Sequence, residues 1–146
     1  MSNEEPYFSH EKLIVYQLEL QFLSWVTILI DEVEEAAPRK TREVRDHLDR
    51  ACLSSLFNTA EGNGKRQMPI RGRFFDDARG SVTECAACLD ALVAKGVCPV
   101  TRIQEGKALL LRCASMLTKL IDRFTNGDQV REDEADYGIQ KDEDVT

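Results

Sequence analysis

Histidine is scarce in this chain. Of its 146 residues only His10 and His47 are histidines, and neither follows a glutamate by three positions. That excludes a di-iron carboxylate bundle, which needs several inward glutamates and repeated Glu-x-x-His turns. Long apolar runs are missing too. The longest, Leu20–Ile30, is interrupted by Gln21, Ser24 and Thr27 and falls short of the roughly 18 apolar residues of a membrane span. Met1–Pro6 is polar and acidic, without the basic region and apolar run of an export signal. A second cysteine pair is absent. Cys85-Ala-Ala-Cys88 is a C-x-x-C that Cys52, Cys98 and Cys113 do not complete as a zinc site. Placed inside a helix, it also lacks the helix N-terminus that activates a redox thiol. No period-two alternation competes with helical spacing, which leaves an all-α chain.

Nucleophilic catalysis requires a base oriented by a third group beside the nucleophile. His47 follows Asp46 on a charged stretch, and Asp76 and Asp77, adjacent in sequence, point about 100° apart on a helix. The expectation is therefore a protein that is not an enzyme and holds no metal and no cofactor. Five cysteines without an export signal read as reduced thiols in a cytoplasm.

The length predicts a single domain, able to bury about two thirds of its unfolded surface. The net charge of −7 is unevenly spread. Gly127–Thr146 holds eight acids and two bases, while Met1–Asn126 holds 18 acids and 17 bases. A near-neutral body over residues 1–126 is followed by an acidic segment, 127–146, whose composition predicts disorder.

Four helices are legible in the body. The first runs from about Ser9 to Ala36, with Leu18, Phe22, Trp25, Leu29 and Val33 on one face. Leu23, Val26, Ile28 and Ile30 make it apolar on a second face, which in a small bundle predicts contact with another copy. The second starts near an N-cap at Thr41 and packs Val44, Leu48, Ala51, Ser55 and Thr59 inward. Its small side chains predict close approach of a neighbour, and Gly62 and Gly64 are read as its stop. The third opens at Pro69 and carries an a/d seam of Phe75, Ala78, Val82, Cys85, Leu89 and Leu92, ending at Gly96. The fourth opens with a Thr101–Gln104 capping box, buries Ile103, Gly106, Leu110, Cys113, Leu117, Leu120 and Phe124, and stops at Asn126–Gly127. Short connections make sequence neighbours antiparallel, giving an up-down-up-down four-helix bundle.

Two basic clusters flank the turns: Arg39, Lys40, Arg42 and Arg45 at the first, and Lys65, Arg66, Arg71 and Arg73, with Arg79 two turns on, at the second. The second cluster is the candidate nucleic-acid contact. Glu61 is expected to accept backbone N–H bonds at the break after helix 2, and Gly80 and Ser81 to allow tight packing against Ser54 and Ser55.

Three segments carry a family resemblance. They are FSHEKLIVYQ (Phe8–Gln17), RACLSSLFNTAEGNGK (Arg50–Lys65), which contains Asn58, Ala60, Glu61 and Gly62, and FFDDARGSVTE (Phe74–Glu84), which contains Gly80 and Ser81. In this order they resemble the small four-helix-bundle family of proteins encoded in intervening sequences of bacterial large-subunit ribosomal RNA genes. That family also includes the accessory protein (Avd) of diversity-generating retroelements. The resemblance implies an antiparallel four-helix bundle, a homopentameric ring in several relatives and no known enzymatic activity. In the retroelement relative it implies partnership with RNA and a reverse transcriptase. Leu56 stands where many members have proline, which implies a straighter second helix. The leading expectation is a non-catalytic homo-oligomeric scaffold, most simply a pentamer. The alternative is an RNA- or DNA-binding accessory protein, possessing a protein partner and no membrane contact, in which the acidic segment competes with polyanions.

Overall fold

A computed structural model describes residues 8–125. A 3₁₀ turn, Ser9–Lys12, leads into α1 (Ile14–Ala36), α2 (Arg42–Gly64), α3 (Met68–Ala94) and α4 (Val100–Thr125), with no strand among the described residues. Each helix packs on two others, α1 and α3 both lying against α2 and α4. The bundle is antiparallel, up-down-up-down, as the short connections require. The α2–α3 and α3–α4 seams are the most extensive, and α1 packs more sparingly. The expected acidic segment 127–146 and the Asn126–Gly127 stop lie outside the described residues.

The first helix starts later than the expected Ser9. Leu13 is extended (φ −74°, ψ 130°) and its N–H closes the 3₁₀ turn on the His10 carbonyl at 3.0 Å, so α1 begins at Ile14 rather than Ser9. Val15, Leu18, Phe22, Val26, Leu29 and Val33 are its buried apolar residues. By length and composition α1 is apolar enough to cross a membrane, with an 18-residue window of mean hydropathy 1.2. Run length alone missed this, since Gln21, Ser24 and Thr27 break the run without lowering the average far. Its most apolar stripe is nonetheless the core of the bundle, shared with three other helices, and Glu19 is buried along it.

Thr41 is fully buried and stands at the N-cap position of α2, but its side chain makes no capping bond. It sits in helical backbone (φ −104°, ψ 0°). Its Oγ1 donates to the Ala37 carbonyl at 2.7 Å and accepts from Arg45 Nε at 2.9 Å, tying the turn together instead. Helix α2 then runs unbroken through Leu56 to Gly64. The α3 seam is buried at all six expected positions. Gly96 (φ 75°) ends it with bonds from Gly96 N to Val93 O (2.9 Å) and Val97 N to Leu92 O (3.1 Å), the paired closure of a Schellman motif. Helix α4 starts at Val100 after Pro99, so Thr101 lies inside the first turn and not at a cap. Its seven expected inward residues are all buried.

Three glycines mark where helices meet most closely. A Cβ on Gly62 would stand 2.9 Å from Phe74 Cβ and 3.1 Å from the Phe75 ring. One on Gly72 would stand 2.8 Å from Thr125 Cγ2, and one on Gly106 would run into the Trp25 ring. Gly62 is thus a notch for α3 within the last turn of α2, not a stop; the break falls at Lys65, which is extended. Gly80 differs: it is exposed on α3 and a Cβ there meets nothing within 4 Å, so packing within one chain does not require glycine at this position. Gly80→Ala is expected to stabilise the fold by up to about 1 kcal/mol through helix propensity. Gly62→Ala should instead cost about 1–3 kcal/mol by overpacking. Urea melts of the two variants check the opposite signs, and a loss of stability at Gly80 would contradict the packing account.

Candidate functional site

The turn between α2 and α3 gathers the predicted basic residues at one end of the bundle, but they are not equivalent. Arg71, in the first turn of α3, donates from Nη1 to the Lys65 carbonyl and from Nη2 to Asn63 Oδ1, each at 3.2 Å. Its guanidinium lies 4.4 Å from the centre of the Phe124 ring, a cation–π contact with the end of α4. Burial, and secondarily the charge of Arg123, lowers its pKa from the usual arginine range. Arg71 is thus a clamp joining the end of α2, the turn and α4. Lys65 Nζ lies 5.0 Å from the centre of the Phe74 ring. Arg66, Arg73 and Arg79 are exposed and form no ion pair with another described residue. Because Gly72 lacks a side chain, Thr125 comes to rest against it, and the end of α4 lies at the basic turn.

The other basic cluster is internally paired. Arg45 bonds the Pro38 carbonyl at 2.7 Å and pairs with Glu34 at 3.6 Å, and Lys40 Nζ donates to the Lys95 carbonyl at 3.3 Å. Arg39 and Arg42 share a shallow open depression with Glu43 and Asp46. Its charges are therefore mixed, two bases beside two acids.

The motif residues stitch the outside of the α2–α3 seam. Asn58 Nδ2 donates to Ser54 O at 2.9 Å and to Ser54 Oγ at 3.1 Å, and Ser81 Oγ donates to Ser54 Oγ at 3.0 Å. Ala60 is half-buried. Glu61 is exposed and accepts none of the expected backbone bonds; Arg71 secures the turn through carbonyl oxygens instead. Ser55, expected opposite Ser81, points to α1.

The second apolar face of α1 divides. Val26 is core, 1% exposed, because it lies four residues from Phe22 and three from Leu29 on the inner stripe. Leu23 and Ile30 are half-buried against the core. Ile28 is 58% exposed, and with it Leu20 on α1, Phe57 on α2 at 57% and Leu111 on α4 at 68%. These last three fall outside every inward period, which was the signal available for them.

The cysteines are packing groups. Cys85 and Cys88 lie buried in the middle of α3. Burial raises both thiols, and it pushes Cys52 up to about 12, away from the thiolate that redox chemistry or metal ligation needs. Among the described residues no group of three His, Cys, Asp or Glu is placed to hold a metal ion. His47 Nδ1 lies 3.2 Å from Glu84 Oε2 on the exposed surface.

The residue that sequence reasoning missed is Glu19. It is 4% exposed, and its Oε2 accepts hydrogen bonds from Ser55 Oγ at 2.6 Å and Thr59 Oγ1 at 2.7 Å. Oε1 is buried without a partner. Burial, partly offset by these two bonds, pushes the carboxyl from 4.5 up to about 8, so at neutral pH the acid is protonated. The signal was on the page of the sequence: Val15, Glu19, Phe22 and Val26 repeat at four, three and four, placing an acid on the apolar stripe. Ser55 and Thr59 on the facing helix were its partners.

No curated protein and no solved structure matches the chain. The profile of the 23S rRNA-intervening sequence protein family matches residues 11–119, from the 3₁₀ turn through most of α4, and the chain belongs to that family.

Proposed function

We propose that this protein is a non-catalytic, homo-oligomeric helical-bundle scaffold, in its simplest form a pentameric ring. The supporting observation is the distribution of exposed large apolar side chains. Leu20 and Ile28 on α1, Phe57 on α2 and Leu111 on α4 occupy outer faces of different helices. A subunit in a closed ring uses two different faces, one for each neighbour, and apolar residues spread over several outer faces supply them. Gly80, with open space over its backbone, allows a further close approach from outside. Light scattering on a size-exclusion peak tests the reading. A mass near five times the 16.5 kDa chain is expected, falling on Ile28→Glu or Phe57→Glu. A 16.5 kDa species at micromolar concentration contradicts it.

A second reading, an RNA- or DNA-binding accessory protein, is favoured by the exposed and unpaired Arg66 and Arg73 beside Lys65, with exposed Arg79 about three turns along α3. In this reading Arg71 positions the turn and does not itself meet phosphate. The acidic segment 127–146 follows α4 in sequence, and the end of α4 lies at this turn; the segment competes with polyanions for the same end. Binding to a single-stranded RNA should weaken steeply with salt, fall on Arg66→Glu with Arg73→Glu, and rise when residues 128–146 are deleted. Equal low-salt affinity across these variants contradicts the reading.

A further inference from the structure

Glu19 is the one acidic side chain that the described part of the bundle buries, and it lies where α1 crosses α2. From α2 it is faced by the hydroxyls of Ser55 and Thr59 and by the Cys52 thiol, and from α4 by the Cys113 thiol. No charged group of the 3₁₀ turn or of α3 acts on it, and it makes no ion pair. One carboxyl oxygen holds both hydroxyl bonds and the other is sealed in without a partner. Burial with no ion pair disfavours the ionised acid, and this outweighs the two hydroxyl bonds, which favour it.

The two halves of α1 are held unequally. The C-terminal half buries Val26, Leu29 and Val33. Trp25 sits against Gly106, with the Arg102 guanidinium 5.3 Å from its ring centre and bonded to Glu32 at 2.9 Å. The N-terminal half buries Val15, Leu18 and Phe22 and is preceded by the extended Leu13 and a 3₁₀ turn with no buried residue. That turn is tied to α2 by a bond between exposed groups, Asn63 Nδ2 to Ser9 Oγ at 3.0 Å.

We infer that Glu19, Ser55 and Thr59 form a proton-binding site that latches the N-terminal half of α1 to α2. With the proton bound the half-helix is closed. When the proton leaves to solvent, the half-helix opens from its Leu13 end, hydrates the carboxylate and uncovers Val15, Leu18, Phe22 and Cys52. The inference rests on the fold and is independent of the proposed scaffold role.

Linkage gives its sign. The closed form holds a proton up to about pH 8, whereas a hydrated carboxyl releases it at the ordinary value of 4.5. Between those values the closed form binds the proton and the open form does not, so opening becomes more favourable as pH rises. Below 4.5 both forms are protonated, and above about 8 both are ionised, so the dependence levels off at each end. From pH 5 to pH 8 the opening constant should grow roughly 10²- to 10³-fold.

Amide hydrogen exchange of the full chain between pH 5 and 9, with intrinsic exchange rates divided out, tests the latch. Protection over residues 14–22 should fall by that factor and level near pH 8, while residues 26–36 and α3 change much less. Glu19→Gln, neutral at every pH, should keep residues 14–22 protected throughout. Ser55→Ala removes a bond that favours the ionised form and should move the levelling point to higher pH. Should Glu19→Gln fail to fold, the Ser55→Ala shift carries the test. Protection of residues 14–22 that ignores pH, the same dependence in Glu19→Gln, or all four helices losing protection together would overturn the latch.

Discussion

Helix separation in this bundle is set where side chains are missing. Gly62 admits the start of α3 onto the end of α2, Gly72 admits the end of α4 onto α3, and Gly106 admits the Trp25 ring of α1 onto α4. Each notch belongs to a different pair of helices, and together they run from α2 through α3 and α4 to α1. The seam residues between them, from Phe75 to Leu92 on α3 and from Ile103 to Phe124 on α4, are buried because the backbones are already near enough for modest side chains to fill the space. Interiors packed to crystal density transmit such a constraint, since a methyl group added at a contact must displace its neighbour.

The remaining seam, between α1 and α2, has no glycine notch and holds a polar group. Keeping a carboxyl protonated at pH 7 when its ordinary value is 4.5 and its buried value about 8 costs on the order of 3 kcal/mol relative to an unfolded chain that ionises freely. An apolar residue at position 19 would avoid that cost. What Glu19 supplies instead is a directional tie through Ser55 and Thr59, a registry that Val15 and Phe22 alone do not impose. The most sparsely packed of the four seams is therefore also the one that holds the buried acid.

Much of the fold was legible because helical periods and turn residues act locally. The a/d seam of α3, the inward positions of α4 and the Gly96 closure follow from spacing and from one positive φ. The misses share a cause: they depend on what another helix places opposite. Gly62 reads as a stop until Phe74 and Phe75 are seen beside it. Val26 and Glu19 are the exceptions, since their spacing from Phe22 already set both on the inner stripe of α1. Glu61 reads as the anchor of the turn until Arg71 is found bonding Lys65 and Asn63. At the basic end, proximity in sequence brought Lys65, Arg66, Arg71 and Arg73 together correctly. The division between a clamp and exposed cations arose only from the position of Phe124.

The exposed apolar residues on several outer faces and the basic end are carried by the notched frame, which holds those surfaces in place. A double-mutant cycle between Gly106→Ala and Trp25→Leu tests that frame most directly. If the notch sets the α1–α4 distance, Gly106→Ala should destabilise the wild-type chain by about 1–3 kcal/mol through overpacking. In the Trp25→Leu background, where the ring is gone, the same substitution should become neutral or gain up to about 1 kcal/mol from helix propensity. An equal cost in both backgrounds would contradict the account.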